Sequence, residues 1–171
     1  RIICNEKIVK DVSPKSKNVE LIFNKTPFYA ESGGQVGDSG YVYNHKGKII
    51  AKVDDTQIVQ NKIHIHYISD IYEKIKENKI YKLVINKERR TKIRNNHSAT
   101  HLLHESLRMV IGKHVTQKGS LVNDEKLRFD YTSTEQLTTE QIFKIESLVN
   151  KAIRSNLASS IRLMPVKKAI Q

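Results

Sequence analysis

Hydrophobic positions in the first half of the chain fall in short runs with β-branched or aromatic character: Arg1–Ile3, Val19–Phe23, Gly40–Tyr43, Lys48–Val53, Lys62–Ile68 and Ile80–Ile85. Turn-forming residues separate them, at Ser13-Pro14, Ser32-Gly33-Gly34, Gly37-Asp38, Asn44 to Gly47 and Asp54-Asp55. Such spacing predicts strands joined by tight turns and, with no long helical pattern among them, a small barrel-like β subdomain. Within it, Ile71–Asn78 also fits a helical turn.

From Asn86 the period changes. Ile93, Leu102, Leu103, Leu107 and Val110 recur at helical spacing, with Asn86 placed to cap the start and Gly112 to end the helix. Two strand-like runs follow, His114–Val122 and Leu127–Tyr131, joined by Asn123-Asp124. In the second, Leu127, Phe129 and Tyr131 face one way and Arg128 and Asp130 the other. Thr138 with Gln141 reads as a capping box ahead of an apolar stripe of Ile142, Ile145, Leu148, Val149, Ala152, Ile153 and Leu157. Val166–Ile170 is helix-like again. The pattern as a whole predicts an α+β chain in two parts, a β-barrel-like subdomain over 1–86 and an α+β subdomain over 87–171.

Composition narrows the class. The 171 residues allow one domain or two small ones, and 38% hydrophobic content is ordinary globular usage. One cysteine, Cys4, excludes an internal disulfide framework and any zinc site that needs two cysteines from this chain, and it fits a reducing, cytoplasmic compartment. No apolar run is long enough for a membrane span. The first residue is Arg1 rather than Met, as expected of an excised piece. The net charge of +12 suggests a polyanionic partner, against the plainer reading of a Lys-rich solvated surface. Residues 1–86 carry 14 basic and 10 acidic groups, residues 87–171 carry 16 and 8. The densest basic run, Lys87, Arg89, Arg90, Lys92 and Arg94, directly precedes the most informative motif.

That motif is His97-Ser98-Ala99-Thr100-His101. Histidines at i and i+4 on a helix share a face, so both imidazoles can reach one metal ion; the plainer alternative is a pair of polar residues on a solvated face. Ser98 stands where a metalloprotease helix carries its glutamate base, which excludes that chemistry. Two histidines do not complete a zinc site, and His104, His114 and Cys4 lack matching spacing. A second signal is the Gly-rich stretch Thr26–Asp38, which permits close backbone approach to a ligand or serves simply as a tight turn. It matches neither phosphate-binding glycine motif. A third is Val115–Ser120, where Gln117 offers a donor and an acceptor and Lys118 a phosphate contact, in place of an ordinary strand entering a turn.

Taken together, TPFYAESGGQVGDSG (26–40), NHSATHLLH (96–104), VTQKGSLV (115–122) and RFDYT (128–132) resemble, in order and spacing, the editing region of alanyl-tRNA synthetases. The resemblance runs over essentially the whole chain. Free-standing alanyl-tRNA editing hydrolases share the Gly-rich and histidine motifs, but the Tyr-Ala-Glu-Ser-Gly-Gly form is closer to the full synthetase.

The resemblance implies a zinc-dependent module that hydrolyses serine or glycine mischarged onto tRNA-Ala. It implies His97 and His101 as zinc ligands, completed by a C-x-x-x-H motif beyond residue 171, so that this piece alone is expected to bind zinc weakly or not at all and to be inactive. It implies Thr100 and Gln117 as catalytic-site residues, Gly33 and Gly34 as substrate-facing, and tRNA as the partner; the charge pattern then makes Arg89, Arg90, Lys92, Arg94 and Lys118 the expected contacts to its phosphates. The ATP-consuming ligase reaction would belong to a catalytic domain outside these residues, since nothing here resembles a nucleotide site. The alternatives are a free-standing editing hydrolase and a tRNA-binding scaffold without activity of its own.

Overall fold

The computed structural model describes residues 1–60, 62–133, 135–158, 164, 165 and 168. Apart from Lys168, the helix-like stretch Val166–Ile170 lies outside them. The architecture is α+β. Strands β1 (Ile2–Cys4), β2 (Lys7–Val9), β3 (Asp11–Val12), β4 (Val19–Leu21), β5 (Gly40–Tyr43), β6 (Ile49–Val59), β7 (Ile63–Ile71), β8 (Ile75–Lys76) and β9 (Lys82–Ile85) precede helix α1 (Lys87–Val110). After it come β10 (Gln117–Val122), β11 (Leu127–Tyr131) and helix α2 (Thr139–Arg154).

Seven strands form one antiparallel sheet in the order β2-β1-β4-β7-β6-β5-β9, whose end strands β2 and β9 are not paired to each other. Its inner face buries Leu21, Val42, Ile50 and Val53, none more than 1% exposed, together with Phe28 and Ile75. Alternation explains the choice: in β5 the pattern Gly40, Tyr41, Val42, Tyr43 puts Val42 in the core and leaves both tyrosines half-buried.

Two expectations from the sequence are corrected. Asp54-Asp55 is not a turn but the middle of β6, an eleven-residue strand. Register shifts between Lys52 and Val53 and between Val53 and Asp55 let the strand continue while Val53 and Thr56 stay buried and Asp54 points to solvent. Ile71–Asn78 is not a helical turn: Ile71 ends β7, and Ile75 pairs with Val12 across the β3–β8 ladder. Apolar residues four apart satisfy a helix or two buried strand ends equally well, and tertiary packing of Ile75 decided between them.

A second core joins Leu107 of α1, Val115 and Ile145 of α2, with Leu103, Phe129, Tyr131 and Val149 packed around them. Helix α1 begins where the sequence places it: the Asn86 side-chain oxygen accepts from Arg89 N–H at 3.0 Å, and Gly112 has φ +139° just beyond the helix. The Thr138 capping box of α2 is present in both directions, Thr138 N–H to Gln141 Oε1 at 2.9 Å and Gln141 N–H to Thr138 Oγ1 at 3.2 Å. Strand β10 starts at Gln117, later than the expected His114.

Candidate functional site

The two halves of the chain meet along the Gly-rich stretch. Ser32 and Gln35 exchange backbone hydrogen bonds of 3.1 and 3.0 Å around Gly33 (φ +59°) and Gly34 (φ +83°), which makes a two-residue reverse turn with positive φ at both central positions. Side chains other than glycine rarely adopt that pair of angles. The segment after the turn then lies along β10. Val122 N–H donates to Gly34 O at 2.7 Å and Val36 N–H to Val122 O at 3.0 Å, a short parallel pairing of Gln35 with Val122. Gly34 has no room for a side chain there, since a Cβ would sit 2.6 Å from the Ser120 carbonyl oxygen.

Helix α1 presents Ile93, Asn96, His97 and Thr100 toward this junction, residues three and four apart on one face. Asn96 donates from Nδ2 to Asn123 O at 2.8 Å, fixing the helix to the turn after β10. His97 Nδ1 lies 2.6 Å from Gln35 Oε1, within hydrogen-bond distance, and its ring stacks on that of His101 with centroids 5.1 Å apart and an interplanar angle of 22°. Burial first, and then the neighbouring His101, lowers the His97 pKa, which favours the neutral imidazole that a metal requires. Thr100 is 6% exposed and donates to the Asn96 carbonyl at 2.9 Å, which leaves its oxygen lone pairs as acceptors. Across the junction, Gln117 donates from Nε2 to Ser120 Oγ at 3.1 Å, and Ser120 Oγ is 3.4 Å from Gly33 O. His104 instead contacts Phe129 at 5.0 Å between centroids, in the second core.

The structure therefore connects the glycine turn in two directions, through Ser120 to Gln117 and through Gln35 to His97, on which His101 stacks, while the one hydrogen bond of the Thr100 hydroxyl stays within α1. Among the described residues no cluster of three or more His, Cys, Asp or Glu is placed to hold a metal ion. The basic residues divide. Arg90 makes a two-pronged ion pair with Asp38, whose side chain is 3% exposed, and Arg89 donates to Gly37 O at 2.8 Å and to Asp124 at 3.1 Å. Lys92, Arg94 and Lys118 are exposed, and Lys92 is 3.2 Å from Glu88 one turn back. Sequence reasoning missed Gln35, Asp38 and Ser120 as parts of this junction. Each sat inside a stretch already singled out, but only the fold turns it inward.

A cavity of about 700 Å³ opens elsewhere, between Arg1, Phe23, Lys25, Ile80 and Tyr81 on the sheet, with no residue of α1 or β10 in its wall.

A family model for tRNA synthetases class II (A) matches residues 1–89. The chain belongs to that family. It is 45% identical over 152 residues to an alanine–tRNA ligase of Lactobacillus helveticus, covering 89% of this chain and 17% of the relative. The match to the alanine–tRNA ligase of Fusobacterium nucleatum is 50% over 145 residues, 84% of this chain and 16% of the relative. That of Wolbachia pipientis is 42% identical over 169 residues, 99% of this chain and 19% of the relative. The chain thus spans less than a fifth of the length of the curated relatives it matches. No helix among the described residues is long and apolar enough to cross a membrane.

Proposed function

We propose that this chain is part of the editing module of an alanine–tRNA ligase, a cytoplasmic enzyme that attaches alanine to tRNA-Ala with ATP in a separate catalytic domain, and that its own chemistry is hydrolysis of serine or glycine mischarged onto that tRNA. The observation that supports the reading is the junction itself, where the glycine turn is bonded through Gln35 to His97 of the HxxxH helix and through Ser120 to Gln117. Such a second site is needed because a pocket for alanine excludes neither glycine, which is smaller, nor serine, which adds one hydroxyl.

The donor set fits zinc as a partial site. His97 and His101 offer two imidazoles from one helix face, and His97 has its Nδ1 engaged by Gln35, the arrangement in which Nε2 is free to ligate. The remaining ligands would come from outside this chain, as zinc needs three or four. Zinc bound there would supply a Lewis acid for orienting the aminoacyl ester or lowering the pKa of a water molecule. The chain's own groups do the rest. The Thr100 oxygen accepts a hydrogen bond from a serine hydroxyl, which glycine and alanine cannot offer. Gln117 carries a carboxamide beside the ester, held in place by Ser120. Water adds to the ester carbonyl, the bond to the ribose oxygen breaks, and the proton that the attacking water loses ends on that oxygen, releasing the free amino acid and the tRNA hydroxyl. The glycine turn leaves its exposed face open, because a Cβ on Gly33 would meet nothing within 4 Å.

Deacylation of seryl-tRNA-Ala by the full-length ligase tests the assignment. Thr100→Val and Gln117→Ala are each expected to slow it by at least about tenfold, roughly 1.4 kcal/mol, while aminoacylation persists. Unchanged deacylation in both variants would remove the assigned roles. The scaffold reading, tRNA binding by Lys92, Arg94 and Lys118 without hydrolysis, is favoured instead if the full-length wild type binds tRNA but leaves the seryl ester intact.

A further inference from the structure

Gln35 is only 6% exposed, an unusual position for a residue with a carboxamide, and its side chain reaches from the Gly-rich loop to helix α1. Its oxygen lies 2.6 Å from His97 Nδ1. A carbonyl oxygen only accepts, so the contact requires the proton on Nδ1 and places the imidazole lone pair on Nε2. Gln35 does not owe its place to this bond. Its backbone is held on one side by the exchange with Ser32 and on the other by the pairing of Gly34 and Val36 with Val122. The loop is therefore fixed by main-chain bonds, and the carboxamide is free to act on the imidazole.

We propose that Gln35 is the positioning residue of His97: seated by the glycine turn, it holds the ring in the Nδ1–H tautomer and so presents Nε2 as the metal-binding atom. Its use rests on the zinc reading above, whereas the tautomer does not depend on any metal. The consequence is a mechanical link. The loop proposed to face the substrate and the helix proposed to hold the metal are joined through one side chain, so a displacement of the turn from β10 also releases the donor atom of His97.

Nitrogen-15 NMR of histidine-labelled chain, without metal at neutral pH, reads the tautomer directly. The wild type is expected to show His97 protonated at Nδ1. Gln35→Met, close in size but with no acceptor, is expected to shift the proton toward Nε2. Gln35→Glu, which restores an acceptor, is expected to keep it on Nδ1. In the full-length ligase, Zn²⁺ competed against a chelator is expected to bind about 10- to 100-fold more weakly to Gln35→Met, the range typical of partners behind a ligand, and no more weakly to Gln35→Glu. A wild-type His97 protonated at Nε2, or a Gln35→Met variant with unaltered tautomer, overturns the proposal. If Gln35→Met disturbs the turn, wild type and Gln35→Glu still decide it. Failure of the full-length wild type to bind Zn²⁺ overturns the metal reading instead and leaves the tautomer result standing.

Discussion

At the scale of single residues, Gly33 and Gly34 look alike in sequence and differ in space. Both have positive φ, but a Cβ on Gly34 would overlap Ser120 Oγ and lie 2.6 Å from the Ser120 carbonyl oxygen, the latter unable to move without disturbing β10. Gly33→Ala is expected to cost about 1–2 kcal/mol, the left-handed backbone penalty alone. Gly34→Ala adds the clash, so its cost should exceed that of Gly33→Ala by at least about 1 kcal/mol in urea unfolding, and it should reduce protection of the Val122 amide. A second residue outside the junction makes stability depend on pH. His66 is fully buried, donating from Nδ1 to Leu21 O at 3.0 Å and accepting at Nε2 from Thr26 Oγ1 at 2.8 Å. Burial is the main cause that lowers its pKa, with His64 adding to it and the Leu21 contact opposing. The unfolded chain thus takes up a proton near the ordinary value of about 6.5 before the folded chain does. Stability should be full above that pH and fall as the pH drops from there toward the lower folded value, by at most about 1.4 kcal/mol per pH unit from this group. Urea unfolding at several pH values checks it: His66→Gln should be less stable at pH 7.5 and show a shallower decline, and an equal slope in both proteins would assign the acid sensitivity elsewhere.

At the scale of elements, what could be read from sequence was what local chemistry dictates. Asn86 and Thr138 cap their helices, the strands around Val19, Val42 and Leu83 form where β-branched runs stand, and the two histidines share a face because the helical period puts them there. What could not be read depends on partners far along the chain. Asp54-Asp55 carries a turn signature yet continues β6, since Glu31 N–H bonds the Thr56 carbonyl at 2.8 Å and Thr56 Oγ1 bonds Asp38 O at 3.0 Å. The basic run before the histidines reads as a surface for phosphate, but two of its members are spent inside the protein. Arg90 closes on the buried Asp38 carboxylate, which also accepts from Tyr29 N–H at 2.7 Å, and so ties α1 to the loop. Removing one partner of a buried pair leaves an uncompensated charge. Arg90→Gln is expected to destabilise the chain by about 3 kcal/mol, and combining it with Asp38→Asn should cost less than the two single changes added together. Additive costs in denaturant titrations would mean the pair is not coupled.

For the whole molecule, the division of its basic residues into internal and external sets changes what the net charge of +12 can do. Excess charge alone supports only nonspecific attraction to a polyanion, and that attraction is carried by groups free to displace counterions from phosphate. Arg89 and Arg90 have side chains about a quarter exposed and already face carboxylates, whereas Lys92, Arg94 and Lys118 stand in solvent on α1 and β10, flanking the junction. Lys92 has a carboxylate neighbour in Glu88, but both are exposed, and an exposed pair one helical turn apart is worth only a few tenths of a kcal/mol, too little to withhold the lysine from RNA. If tRNA lies across the junction, as the proposed function requires, changing Lys92, Arg94 and Lys118 together to Gln should weaken binding of tRNA-Ala and lower the slope of log affinity against log salt concentration by about 2 to 3, close to one for each phosphate no longer neutralised. Arg90→Gln, by contrast, should leave that slope unchanged under conditions where the variant remains folded, because its charge is already neutralised within the protein. A triple variant with the wild-type slope would place the tRNA on another face, and an Arg90→Gln slope reduced as far as that of the triple variant would show that the Asp38 pair opens on binding.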